Sequence, residues 1–240
     1  SCEDCPIWEV YGPFLYENKN NLPESYIVEK SLLLVGNPSD AQNLNYQLII
    51  NGFDLKSGVL INDKSKVSEY SIGELAKFNG IVLLKDSVLD SDLGLLENYN
   101  SKGGKIFPNI LTEESTLSLE EINQFFGSNS SLLEVEWEQV NTNQYSYKLD
   151  GEFGWIVLSE TFSNFPGWHA SINKNMKHIY RANNVISAIK LDGEVESLVL
   201  TYSPTAYRIG KLISIVSVFL FLFLVIFSKY KSKKNGKIRT

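Results

Sequence analysis

The sequence has 240 residues, of which 21% are charged and 12% aromatic, ordinary values for a folded protein with a sizeable core. Its net charge is −6, and the stretch from Lys229 to Thr240 holds six cations and no anion, so residues 1–228 carry −12. An acidic body argues against nucleic acid as a partner, and the basic tail is too short for a nucleic-acid arm.

The chain opens with "SCEDC", whose Cys2 and Cys5 are its only cysteines. A lone C-x-x-C can be redox-active, half of a zinc site or a small disulfide. There is no second pair, and His169 and His178 are far away in sequence, so a local Cys2–Cys5 disulfide is the expectation on the oxidising side of a membrane. Residues 1–25 read as a leading segment in which Trp8, Tyr11, Phe14 and Tyr16 pack on a neighbour. The chain starts without Met or signal peptide, which fits a removed signal or, the preferred expectation, the C-terminal piece of a longer protein with further spans upstream.

Residues 26–128 predict a wound α/β domain. "SLLLVG" (31–36) is a continuous apolar run closed by Gly, which suits a buried parallel strand. In "NPSDAQNLNYQLIINGF", Pro38 and Asp40 open a helix, Leu44 and Leu48 share a face, and Gly52 ends it. "GVLIN" is a second strand, "SIGELAKFNG" a short helix and "IVLLKD" (81–86) a third strand. Next comes a helix with Leu89, Leu93, Leu96 and Tyr99 at helical spacing, ended by Gly103-Gly104. "KIFPNIL" is a fourth strand, and "SLEEINQFFG" (118–127) a helix with Ser118 and Glu121 at capping-box spacing. Strands alternating with helices imply a parallel sheet covered on both faces.

After Gly127 the period becomes two, and residues 129–206 predict an antiparallel β-sandwich domain. Its strands are "LLEVEWEQV", "QYSYKL", "GWIVLSETF", "WHASIN", "KHIYRA", "VISAIKL" and "ESLVLTY". In "WHASIN", alternation puts Trp168, Ala170 and Ile172 on one face and His169, Ser171 and Asn173 on the other. Asn173-Lys174-Asn175 and Asp192-Gly193 are turn signals. "NSS" at Asn129 is a glycosylation acceptor pattern in the interdomain loop.

Residues 207–229 predict a transmembrane helix, and 230–240 a basic cytoplasmic tail. Leu212 to Phe227 contain no charge and only Ser214 and Ser217 as polar residues. Extending to Tyr207 and Tyr230 reaches the roughly 30 Å of the hydrocarbon core, with Arg208 and Lys211 snorkelling at one end. Lysines after the apolar run stay in the cytoplasm, so residues 1–206 are expected to face outward, with the lipid bilayer as a partner.

Signals for catalysis are sparse. Ser159, Glu160 and Ser171 lie near His169 and His178 in sequence, yet no G-x-S-x-G elbow exists. Glu134, Glu136 and Glu138 alternate on one strand face, as a wet side does, and Glu113-Glu114 are a second carboxylate pair. Asp54, Asp63, Asp86, Asp90 and Asp92 fall near strand ends without metal-loop spacing. "LLLVGNPSDA" lacks the phosphate-loop glycines and reads as a tight turn. Trp137, Trp155 and Trp168 fall in strands, as core or as sugar-stacking rings. No catalytic, cofactor-binding or metal residue is expected.

Two stretches carry a resemblance. "FPGWHASINKNMKHIYRANNVISAIKL" with "VLTYSPTAYRIGKLIS" resembles the end of multi-pass membrane proteins of the YfhO-like and GT-C glycosyltransferase type. The shared pattern is Pro166-Gly167-Trp168, a turn at Asn173, Arg181-Ala182-Asn183, Tyr202-x-Pro204 and Gly210, over about 160–228. The resemblance implies an extracytoplasmic β domain below upstream spans, with these residues structural. "FNGIVLL" and "NYNSKGGKIF", within about 30–112, resemble the class I glutamine amidotransferase-like fold. Its hydrolytic members use a Cys on an elbow with a His partner, which is not matched here, since Cys2 and Cys5 precede the stretch. Catalytic carboxylates of the GT-C type, in loops between spans, would lie upstream of Ser1.

Together these imply an outward-facing accessory or binding region of a larger membrane protein or complex that handles glycans or lipid-linked sugars. The rival expectations are an amidotransferase-like or other hydrolase ectodomain, and a structural cell-surface assembly protein.

Overall fold

The computed structural model describes residues 8–11, 15–18, 22–107, 119–127, 132–193 and 196–236, with side chains described for 22–107, 121–127, 132–193 and 196–227. Cys2, Cys5, Phe14, Glu113, Glu114, Ser118 and Asn129 lie outside the described residues, as do the side chains of Trp8, Tyr11 and Tyr16. Strand β1 (Trp8–Tyr11) pairs antiparallel with β2 (Leu15–Asn18) in a sheet of their own.

The wound part follows the apolar runs. Strands β3 (Ser25–Val28) and β4 (Lys30–Val35) lead into helix α1 (Pro38–Ile50). The Asn37 side chain caps α1 by accepting the Ser39 N–H, and Pro38 occupies the first turn, where its missing N–H costs nothing. Leu44 and Leu48 are buried, as their spacing requires. There follow β5 (Gly58–Ile61), α2 (Ile72–Leu75), β6 (Gly80–Leu83), α3 (Leu93–Ser101), β7 (Lys105–Phe107) and α4 (Leu119–Phe126). In α3 only Leu96 and Tyr99 of the expected row are buried; Leu89 and Leu93 are half exposed, because α3 starts at Leu93 and rests on the sheet by its second half. Strands β4 to β7 are mutually parallel.

The remaining strands are β8 (Leu133–Glu134), β9 (Trp137–Asn141), β10 (Gln144–Lys148), β11 (Gly154–Leu158), β12 (Trp168–Ile172), β13 (Asn175–Lys177), β14 (Tyr180–Ala182), β15 (Ile186–Leu191) and β16 (Ser197–Tyr202). They divide between two sheets. One is mixed, in the order β7-β6-β4-β5-β14-β15-β11-β3-β8, and the other antiparallel, in the order β13-β12-β16-β10-β9. The expectation of a parallel sheet followed by a separate all-antiparallel unit is therefore corrected. The physical reason is burial: every residue of "GWIVL" in β11 is buried, so both its faces need cover. Val157 and Trp155 enter the core shared with the parallel strands, while Ile156 and Leu158 enter the core shared with the second sheet.

Only Glu29 separates β3 from β4, although the sheet order puts them far apart. The order β4-β5-β14-β15-β11-β3 thus returns to the strand it left, and the sheet curls into a ring. Going round, Leu33 pairs with Ile61, Ile61 with Ala182 and Ala182 with Ile186; then Ser187 pairs with Leu158 and Leu158 with Ser25. The circuit starts at Leu33 and re-enters at Ser25, the stagger that a closed, tilted ring of strands needs. Gly154 lies against the bend at Glu29: a Cβ there would run into the Val28 carbonyl oxygen. Trp155 fills the interior, flanked by Phe78 at 5.3 Å and Tyr180 at 5.2 Å.

The ring's narrowest joint is β5–β14, where Ala182–Ile61 is the single ladder pair. Asn183 extends it. Its backbone N–H donates to the Leu60 carbonyl (2.9 Å), and its buried side-chain carbonyl accepts the Leu60 N–H (3.0 Å). Asn62 N–H donates to the Arg181 carbonyl on the other side of the pair. Asn183 and Asn184 sit at φ +45° and +75°, in the left-handed region that Asn tolerates better than other side chains.

Two expected single strands are bent and change sheets. "LLEVEWEQV" splits into β8 in the mixed sheet and β9 in the other, so Glu134 does not share a strand with Glu138, correcting the expected row of carboxylates. "KHIYRA" splits between β13 and β14, with His178 at the crossing. At the corners Val135 is buried in the core between the sheets and Ile179 packs on it. The expected Asn173-Lys174 turn is present, with φ +49° and +67°, the twist a two-residue hairpin loop needs between β12 and β13.

Helix α5 (Thr205–Gly236) follows β16 directly. Among the described residues its segment Thr205–Phe227 is the one helix long and apolar enough to cross a membrane, with mean hydropathy 2.7 over its most apolar 18 residues and every side chain exposed. The joint is tight. Ser203 N–H donates to the Gly167 carbonyl (2.7 Å), and a Cβ on Gly167, at φ +113°, would lie 2.8 Å from Pro204 Cα.

Asn183→Ala removes the acceptor of a buried N–H and disfavours the left-handed backbone, so it is expected to cost about 2–3 kcal/mol. Asn183→Gly keeps the backbone preference and should cost less. Urea unfolding of the full chain in micelles measures both, and an unshifted midpoint for Asn183→Ala would show that the joint does not depend on the amide.

Candidate functional site

The outer face of the five-stranded sheet carries small polar side chains. Ser146 on β10 stands between Glu138 on β9 and Val199 on β16, and Val199 faces Ser171 on β12; Lys148 stands opposite Ser197. At the β9 edge this face sinks into a hollow of about 410 Å³ lined by Glu136, Trp137, Glu138, Ser146, Lys148, Glu196 and Ser197. The hollow offers carboxylates, hydroxyls and one ammonium; the Trp137 indole, 43% exposed, packs on Tyr145 (5.8 Å) and Tyr147 (6.4 Å) of the opposite face and borders the hollow at the sheet edge. That donor set suits a neutral polyol such as a sugar: carboxylates accept from hydroxyl groups, and an aromatic edge covers C–H faces.

The expected faces of "WHASIN" are confirmed: Ala170 and Ile172 are buried, and His169 is exposed. Trp168 is half-buried, packed on Phe162 (4.7 Å), Tyr202 (5.1 Å) and Tyr145 (5.7 Å). Trp155 is wholly core. A second groove, about 640 Å³, runs along the Glu29 bend between Lys30, Asn79, Glu152, Phe153 and Lys190. Lys190 lies over the Trp155 ring at 5.3 Å, and burial lowers its pKa while Asp192 opposes the shift.

A polar rim crowns the carboxyl end of β5. His178 Nε2 lies 3.0 Å from Asp63 Oδ1, and the Tyr180 ring meets the imidazole edge-on at 4.4 Å. Ser159, expected near the histidines in sequence, instead donates its hydroxyl to the Pro23 carbonyl. The pair can bind or polarise a small polar group, and among the described residues no hydroxyl or thiol is hydrogen-bonded to it. Beside it, Lys64 Nζ bonds Glu74 Oε1 (2.7 Å) and covers the Tyr70 ring (4.6 Å), whose phenol burial holds well above the usual range. At "LLLVGNPSDA", a Cβ on Gly36 would lie 2.5 Å from Leu84 Cβ, so the turn is closed by packing, and Asn37 and Asp40 already occupy the start of α1. Of the aspartates, Asp92 is buried and accepts the Leu89 N–H, a structural part. Among the described residues no group of three His, Cys, Asp or Glu side chains is placed to hold a metal ion.

The residues of the resemblance pattern fall at joints: Asn183 at the β5–β14 closure, and Gly167, Trp168, Tyr202 and Pro204 where the body meets α5. No protein-family model matches this chain, and no curated protein matches it.

Trp168→Ala removes a half-buried indole from its aromatic cluster and is expected to cost about 2–3 kcal/mol, below the full range for a core aromatic; an unchanged urea midpoint would make the indole dispensable for packing. Glu74 is held down to about 2, chiefly by the Lys64 hydrogen bond and then by the Ser71 N–H and hydroxyl. Because its folded pKa lies below the unfolded one, its contribution is complete above about pH 4.5 and lost as pH falls towards 2. The side chain is 39% exposed, so Glu74→Gln should cost less than about 1 kcal/mol at neutral pH. That difference should vanish in unfolding curves taken near pH 2.

Proposed function

We propose that this chain is a membrane-anchored, extracytoplasmic binding region of a larger membrane protein or complex that handles glycans or lipid-linked sugars. The observation that carries the anchoring is α5, joined directly to the body through Ser203 and Pro204, wholly exposed over Thr205–Phe227, with lysines from Lys229 after that apolar stretch. The lysines that follow the apolar stretch, from Lys229 on, support a cytoplasmic tail and an outward-facing body. The resemblance to the ends of YfhO-like and GT-C type proteins supports the glycan connection, and the hollow beside Trp137 supplies chemistry that a sugar would use. The partner of the body is then a multi-pass membrane domain, and the acceptor site at Asn129 and the Cys2–Cys5 pair belong to the same outward-facing side.

Two measurements test this reading. Protease added outside intact cells should remove the body and spare a C-terminal tag; loss of the tag with the body intact would reverse the orientation. Full-length protein in nanodiscs should bind neutral oligosaccharides on a glycan array, with Trp137→Ala and Glu138→Gln each weakening binding at least about tenfold, as for loss of a stacked ring or a charged hydrogen bond. Absence of binding, or binding unaffected by both substitutions, would remove the hollow from the proposal and favour a structural assembly role.

A further inference from the structure

One end of the body has a composition unlike the rest. Segments 139–147, 161–168 and 197–207 contain no Asp, Glu, Lys or Arg, in a chain that is 21% charged. They meet in space. Trp168 pairs with Tyr202, Tyr202 N–H donates to the Asn143 carbonyl in the β9–β10 turn, and Gly167 packs on Pro204. The large apolar and aromatic side chains exposed here are Val140, Phe165, Tyr202 and Tyr207, beside the half-buried Trp168 and the uncharged turn Asn141-Thr142-Asn143; Glu160, His169 and Arg208 adjoin these segments in sequence.

This end is also where the chain enters α5, since only Ser203 and Pro204 separate Tyr202 from the helix. Exposed aromatics, amides and hydroxyls without formal charge are the chemistry of the headgroup layer, where an amphipathic ring keeps its polar edge wet and its face among acyl carbons. The uncharged run Leu212–Phe227 spans about 24 Å as a helix, short of the roughly 30 Å of hydrocarbon, so the first turns of α5, with Tyr207, Arg208 and Lys211, are drawn to the interface and bring the adjoining end of the body with them.

We propose that this uncharged end, the β9–β10 turn with Phe165, Trp168 and Tyr202, is seated in the headgroup layer of the bilayer that α5 enters. The body rests on the lipid surface instead of standing clear of it. The proposal relies on the reading of α5 as a membrane span. The contact is continuous with that span, and the aromatic rim extends the anchor sideways from one helix to a face of the sheet. In the opposite direction the β12–β13 turn at Lys174 lies five residues of strand away, about 17 Å, and points the charged end of the sheet to water.

The test uses full-length protein carrying Cys2→Ser and Cys5→Ser in phosphatidylcholine nanodiscs, with a fluorophore on one introduced cysteine: Asn143→Cys, Phe165→Cys, Lys174→Cys or Leu220→Cys. Labels at 143 and 165 should be quenched at least twofold by a headgroup-level nitroxide lipid and shielded from aqueous iodide. The label at 174 should show the reverse, and the label at 220 should respond to an acyl-chain nitroxide. If 143 and 165 behave like 174 while 220 responds as a core residue, the seating is wrong and the anchor stands. If 143 and 165 are reached by neither quencher, a second copy of the chain covers this end and the lipid contact is overturned. If 220 is reached only by iodide, the anchor reading itself fails.

Discussion

The mixed sheet depends on one residue doing the work of a strand. Parallel β5 has β4 on one edge, and its other edge must be paired or left with buried N–H and C=O groups that cost about 1–3 kcal/mol each. Strand β14 reaches it through a single ladder pair, and Asn183 supplies the next pair with its own backbone and amide. Through that joint the wound half and the antiparallel half become one ring of strands, and the interior around Trp155 is closed. The side-chain Nδ2 of Asn183 meets no acceptor among the described residues, so part of the gain is returned, and the left-handed backbone at Asn183 and Asn184 adds a further cost. The closure therefore rests on packing of the strands around it as much as on the amide itself.

Much of the wound half was legible because each signal was local. Continuous apolar runs ended by Gly or a turn marked β4, β5 and β6, and the Asn37-Pro38 start marked α1. The antiparallel half was legible strand by strand but not in its partners. "GWIVL" is as continuously apolar as "SLLLVG", the same sign of burial on both faces, and that sign could have placed β11 in the mixed sheet. The sheet changes at Val135 and His178-Ile179 left no such mark, since a bent strand alternates as a straight one does. Strand β3, "SYIV", was hidden because it continues directly into β4 and looks like the approach to it.

The candidate hollow was only half visible. Glu136 and Glu138 showed as the wet side of a strand, but Lys148, Ser197 and Glu196 join them only through the β9-β10-β16 register, which no short-range spacing encodes. The residues singled out by resemblance proved easier to explain physically: Gly167, Trp168, Tyr202, Pro204 and Asn183 all stand where two parts of the molecule meet. Residues that stand at joints say how a body is held, and leave open what it holds.

The Gly167–Pro204 contact has a mechanical consequence. A linker of several flexible residues would let the body keep one attitude while the helix leaned beneath it. Here Ser203 is hydrogen-bonded, Pro204 has a fixed φ, and its Cα is pressed against the Gly167 backbone, so the joint has no swivel. An anchoring helix meets hydrocarbon layers of different thickness by changing its lean. With no swivel, that lean is passed to the sheet as to the head of a rigid lever. With α5 in a bilayer, as proposed, the attitude of the whole body becomes a readout of local bilayer thickness.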